Sequence, residues 1–123
     1  MTIIEAIEKI DSLKPNTYTN EEKIHWLSRI EGMIKRNCID NYDGAENVVF
    51  DGYNEDTPVD TILIVQEPYD DLYILWLEAM IDYTNGEFTK YNNVIIRYND
   101  MYQAFFNDYN RTHMPKGTHI RYY

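Results

Sequence analysis

One cysteine, two serines and no long apolar run set the first limits on this chain. Cys38 has no partner, so an intrachain disulfide is excluded and a reducing compartment is the natural home. Ser12 and Ser28 both lack a G-x-S-x-G setting, which leaves no recognisable serine nucleophile. Gly32, Gly44, Gly52, Gly86 and Gly117 are too scattered to form a phosphate loop. No apolar stretch approaches the ~20 residues that span a bilayer. No N-terminal secretion signal is expected either, because Glu5, Glu8 and Lys9 interrupt the apolar residues early. Basic residues are scarce: 11 lysines and arginines face 21 acids, for a net charge of -10. That balance disfavours a general nucleic-acid binder, which needs cations to replace counterions, and an anionic membrane surface. It suits a soluble protein that repels DNA or meets a basic partner.

Metal and acid–base chemistry also lack their usual signatures. His25, His113 and His119 show no H-x-x-x-H or H-E-x-x-H spacing. An EF-hand register starting at Asp51 puts Tyr53 at the third position and Asp56 where glycine is needed. No carboxylate pair sits in an apolar context that would nominate a general acid. Neither an enzyme nor a cofactor is expected.

What the chain does contain is tyrosine, 12 in 123 residues. These rings suit partly wet contact surfaces or gaps between helices. The length allows one domain. Thr2 can cap a first helix bearing Ile3, Ile4, Ile7, Ile10 and Leu13, which Pro15 and Asn16 end. Thr19 and Glu22 form a T-x-x-E capping box for a second helix whose apolar face is Ile24, Leu27, Ile30, Ile34 and Cys38. From 40 to 67 there is no lysine or arginine, while acids recur, Asp51, Glu55, Asp56 and Asp60 among them. Two β-prone runs, 47-NVVF-50 and 61-TILIV-65, flank the turn-rich 51-DGYNEDTP-58. They predict a β-hairpin or a pair of extended arms.

Pro68 and the acids after it open a third helix, with Leu72, Leu75, Trp76, Ala79, Met80 and Tyr83 as its stripe. Tyr73, Ile74, Leu77 and Ile81 make it apolar on most sides, the mark of a central or intersubunit helix. Thr84 and Glu87 make a further candidate capping box across Asn85-Gly86. A tight turn there is expected, with one long bent helix as the alternative. The fourth helix carries Phe88, Tyr91, Ile95, Tyr98, Tyr102, Phe105 and Tyr109 at alternating three- and four-residue spacing. At ~37 Å it is long for this domain, so part of it could project. The fold expected is mainly α: a bundle of about four helices over 1–112, with an acidic arm at 40–67 between the second and third. A basic, aromatic tail, 113–123, is either a frayed end or a docking peptide through Lys116, His119, Arg121, Tyr122 and Tyr123.

Several segments carry a resemblance: 13-LKPN-16, 21-EEKIHWLSRIEG-32, 68-PYDDLYILWLEAMIDYTNGEFTKYNN-93 and 109-YNRTHMPK-116. Together they resemble small virion proteins of Firmicutes phages and prophages, of the head–tail connector (adaptor) type. The resemblance spans most of the chain and is loosest in the arm. It implies a mostly helical subunit that assembles as a ring beneath the portal, in the virion and, during assembly, in the host cytoplasm. The ring contact is then expected on Tyr73, Leu77, Tyr91, Tyr98 and Tyr102. The arm could add a strand to a neighbour's sheet. Its acids Asp51, Glu55, Asp56 and Asp60 would let DNA pass without specific binding, and the tail would reach the portal or a tail-completion protein. The rival expectation is an acidic DNA mimic that binds a basic host factor.

Overall fold

Thr2 starts the fold as the sequence predicts. Its hydroxyl accepts from the Glu5 N–H at 3.2 Å, and the Glu5 carboxylate accepts from the Thr2 N–H at 3.3 Å, a complete capping box. Helix α1 (Ile3–Leu13) follows, then α2 (Asn20–Asn37), α3 (Asp71–Thr84) and α4 (Phe88–Thr112). This computed structural model describes residues 1–116. Between α2 and α3 lie two single 3-10 turns, Ile39–Asn41 and Ala45–Asn47, and a long irregular arm.

The core forms where the apolar stripes meet. Ile3, Ile7 and Ile10 of α1 pack with Leu27, Ile30 and Ile34 of α2 and with Leu72, Tyr73, Leu77 and Ile81 of α3. Each of these aliphatic side chains contributes about 1.5–3 kcal/mol by leaving water. Buried charge adds direction to this packing. Lys23, 2% exposed, reaches Asp11 at 2.6 Å and joins α2 to α1. Lys14, just past α1, pairs with the fully buried Asp82 of α3. The Trp76 indole donates to the Trp26 carbonyl at 2.9 Å, tying α3 to α2.

The turn expected at Asn85-Gly86 is present. The Gly86 N–H donates to the Tyr83 carbonyl and the Glu87 N–H to the Asp82 carbonyl, at 3.0 and 2.9 Å. This is a Schellman ending, with Gly86 at φ +77°. The expected Thr84–Glu87 capping box is not formed: Thr84 is still in α3, and Glu87 makes no side-chain cap bond. Gly86→Ala is expected to lower stability by about 1 kcal/mol in a denaturant titration, because a Cβ strains this left-handed backbone. The space around it is open, so crowding adds nothing.

Three other expectations are corrected. The acidic segment is no β-hairpin; among the described residues there is no strand, only two isolated bridges. The reason lies in where its backbone donors and acceptors go. The Thr61 and Val59 carbonyls accept from the first N–H groups of α1, Ile3 and Ile4, at 3.0 and 2.9 Å. The Leu63 N–H donates to the Met1 carbonyl, and Ile64 and Val65 donate to side chains. These groups are therefore not offered to residues 47–50, and Val49 is left 78% exposed. The far half of α4 does not project. Phe105 is buried, and Tyr109 packs edge-on against Tyr42, whose hydroxyl donates to Asn110 at 2.8 Å. Finally α3 begins at Asp71 rather than at Pro68, after a turn in which the Tyr69 N–H donates to the Gln66 carbonyl at 3.0 Å.

Candidate functional site

The arm is held by one buried acid. Glu31 lies on the inner face of α2 and is fully buried. One carboxylate oxygen accepts from the Tyr53 hydroxyl at 2.8 Å and the Ile64 N–H at 2.9 Å; the other accepts from the Tyr73 hydroxyl. The Tyr73 hydroxyl in turn accepts from the Val65 N–H at 2.8 Å. One turn earlier on α2, the Ser28 hydroxyl accepts from the Tyr53 N–H at 3.0 Å. Thus α2 and α3 supply the polar points to which both ends of the arm's middle section are fastened. Leu63 and Val65, both fully buried, add the apolar contact.

The electrostatics follow from this burial. Loss of water pushes the Glu31 carboxyl above its ordinary range, and the bonds from Tyr73, Ile64 and Tyr53 pull it only part of the way back. Burial, reinforced by the Glu31 charge, raises Tyr53 and Tyr73 far enough that both hydroxyls stay protonated donors. Burial pushes the Cys38 thiol up to about 11, so this cysteine is a poor nucleophile.

The expected contact residues separate into two sets. Tyr73 and Leu77 are fully buried within the chain's own core, so they are not free to meet another subunit. Tyr98 is nearly buried, against Trp76 at 5.4 Å between ring centroids, and stacks on Tyr102 at 6.3 Å. These rings close α4 onto the body, which answers the tyrosine excess: much of it fills internal gaps. Tyr91 and Tyr102 remain half exposed. Tyr91 also shares a ring cluster with Tyr83, which stacks edge-on with Phe88. Tyr83 and Phe88 are 56% and 57% exposed at the α3–α4 tip.

Asp51, Glu55, Asp56 and Asp60 are all exposed, as an acidic face requires. The turn at Asn54–Thr57 is closed by its own bonds, including Asp56 N–H to the Asn54 side chain at 2.8 Å. Lys116 is exposed; His119, Arg121, Tyr122 and Tyr123 lie outside the described residues.

Three of the surface concavities bear on the site. A groove of about 540 Å³ runs between α1 and α4, floored by Ile74, Leu75, Met101 and Ala104 and edged by the 65% exposed Leu13. A polar cleft of about 810 Å³ lies between α1 and the start of α3. A third, of about 380 Å³, opens beside the first part of the arm. Among the described residues, no group of three or more histidine, cysteine or acidic side chains is placed to hold a metal ion.

The sequence offered no signal for Glu31 as the arm's anchor. It sits inside a solvent-like run of charges, 21-EEKIHWLSRIEG-32, and only its phase with Leu27 and Ile34 puts it inward. No family model matches the chain, and neither a curated protein nor a solved structure matches it.

Proposed function

We propose that the chain is a structural phage protein, a head–tail connector (adaptor) subunit that assembles as a ring under the portal and links capsid to tail. The observation carrying this reading is a pair of dissimilar apolar surfaces that the fold leaves uncovered. One is the α1–α4 groove with Leu13 and Leu75. The other is the arm, where Val49, Val59 and Ile62 are exposed. A closed ring uses a heterologous contact, in which one patch of each copy meets a different patch of the next. Two unlike patches on separate elements meet that requirement, whereas a single patch would serve a two-fold dimer. The resemblance to connector proteins supplies the location and the partners: portal above, tail-completion protein below.

In this reading the exposed arm acids turn toward DNA and repel its phosphates, so DNA passes without being bound. The contact proposed for the ring moves off Tyr73 and Leu77 and onto Leu13, Leu75 and the half-exposed Tyr91 and Tyr102. No helix among the described residues is long and apolar enough to cross a membrane.

Mass photometry of the protein alone and with portal tests the proposal. Ring-sized particles are expected, and Leu13→Arg should abolish them while the circular dichroism spectrum stays unchanged. A monodisperse monomer in both samples would overturn the reading. Asp51, Glu55, Asp56 and Asp60, exposed and without an ion pair among the described residues, favour one rival, a DNA mimic that binds a basic host enzyme. That rival predicts capture of a basic nuclease or polymerase by the monomer, and loss of capture when Asp51, Glu55, Asp56 and Asp60 are changed to asparagine and glutamine.

A further inference from the structure

The outer face of α2 carries cations that the rest of the fold leaves unmatched. Arg29 and Arg36 are exposed and enter no ion pair or side-chain hydrogen bond among the described residues. Seven other lysines and arginines are each held in an ion pair. Met33, 40% exposed, lies between the two arginines. The three occupy positions i, i+4 and i+7, so they form one stripe that runs ~10.5 Å along the helix. His25, one turn earlier, is exposed too, and the nearest acid along the same line is Glu22, two turns before Arg29. The neighbouring Lys35 is neutralised by Asp40. On a chain of net charge -10, an unpaired cationic stripe is a place where a second, like-charged copy can approach without repulsion.

The groove between α1 and α4 presents the opposite pattern. Helix α3 contributes Asp71, Ile74, Leu75 and Glu78 to it. Asp71 and Glu78 are also seven positions apart, with the two aliphatic residues between them at i+3 and i+4. This row reads acid, apolar, acid over the same ~10.5 Å in which the α2 stripe reads base, apolar, base. The groove's remaining charges are Lys9, Arg97 and Asp100, so three acids stand against two bases. Lys9 approaches Asp71 at 3.5 Å and Arg97 approaches Glu78 at 3.6 Å, and both cationic side chains are more than half exposed. Such loose, solvated pairs contribute little, and each carboxylate keeps lone pairs for a second donor. Asp100 is exposed and has no ion pair among the described residues.

We propose that the α2 stripe of one copy docks in the α1–α4 groove of the next. Met33 then covers Ile74 and Leu75, and the two arginines meet Asp71 and Glu78. This is helix-in-groove recognition, with anchors at i, i+4 and i+7. The stripe cannot enter its own chain's groove. Helix α2 packs on the body through Leu27, Ile30 and Ile34, its opposite face, so Arg29, Met33 and Arg36 point away from the core. The two surfaces are unlike, so the contact repeats head to tail. Ser28 and Gly32, each one residue before a member of the stripe, lie against Tyr53 and Phe50, so the stripe borders the arm. The inference rests on the connector reading and names the charged contact by which one copy recognises the next.

Charge reversal and mixing test the proposal, read by mass photometry of the full-length chain with and without portal. R29E with R36E makes the stripe acidic, and D71K with E78K makes the α3 row basic. Each double variant alone is expected to remain monomeric, because its stripe and groove now carry the same sign. Mixed together, the two should recover assemblies in which the variants alternate, since each stripe then finds a groove of opposite sign. Circular dichroism of each variant guards against misfolding, and the two arginines are surface residues without bonds to lose. Full-sized rings from R29E with R36E alone would overturn this contact and leave the connector reading standing. A mixture that stays monomeric while the unmodified chain forms rings would do the same. An unmodified chain that is monomeric in both samples would overturn the two together.

Discussion

Glu31→Ala is expected to lower the unfolding free energy by about 3 kcal/mol or more, read from a urea titration. Truncation leaves the Ile64 N–H and the Tyr53 and Tyr73 hydroxyls buried without their acceptor, and each stranded group costs about 1–3 kcal/mol. Relaxation of the arm, which can let water in, keeps the total below the simple sum. Because the arm is fastened here, hydrogen exchange at 61–65 should accelerate more than in α3 or α4. Glu31→Gln should cost less, since the amide keeps one acceptor oxygen for the same donors. The pair of variants also isolates a pH effect. The Glu31 carboxyl is raised above its ordinary value of 4.5 in the folded chain, chiefly by burial. The folded state therefore binds the proton more tightly than the unfolded state. The resulting stabilisation is full below about 4.5 and disappears as pH rises through the folded value. Relative to E31Q, the unmodified protein should gain stability as pH falls from neutral toward 4.5. A flat difference across that range would mean that the carboxylate is solvated.

Lys14→Met carries an effect of similar size. Asp82 is fully buried on α3, and Lys14 is its ion-pair partner, with 22% of the lysine side chain exposed. The second carboxylate oxygen, Asp82 Oδ2, is buried and has no hydrogen-bond partner among the described residues. Removing the cation strands a charge in the core, a change that typically costs about 3–5 kcal/mol. Replacing both partners, Lys14→Met with Asp82→Leu, should recover most of that loss, because no charge is then left inside. The double-mutant cycle in denaturant gives the coupling directly. A loss below 1 kcal/mol for K14M would show that water reaches Asp82.

How much of this was legible beforehand differs by element. The helices were readable because their signals are local: Thr2 before the first helix, Thr19 before Glu22, Gly86 at a helix end, and apolar residues at helical spacing. Each needs only a few neighbouring positions. The arm was misread because its β-prone residues are satisfied by distant groups. Ile64 and Val65 find their acceptors on Glu31 and Tyr73, and Thr61 finds its donor on Ile3; none of these partners is near in sequence. Propensity recorded that 61–65 would be extended and half buried, and that much holds, since Leu63 and Val65 point inward. It could not record that no second strand would be available.

The candidate contact residues illustrate the same limit. Tyr73 and Leu77 look surplus on a helix that is apolar nearly all round. The surplus disappears once α2, α4 and the arm each claim a side. Lys23 and Lys14 read as ordinary surface lysines, yet both end in ion pairs inside or near the core. Nothing in the local pattern distinguishes them from Lys9 or Lys90.

Fastening the acidic loop at both ends has a mechanical corollary. Tyr53 grips it through Glu31 and Ser28, and the Val59 carbonyl holds it to the start of α1, so residues 54–58 behave like the handle of a cup rather than a rope. Such a handle cannot be thrown across to a distant molecule. Whatever grasps it must approach the body closely and accept its curvature as given, which favours shape-matched neighbours over partners that would stretch the loop straight.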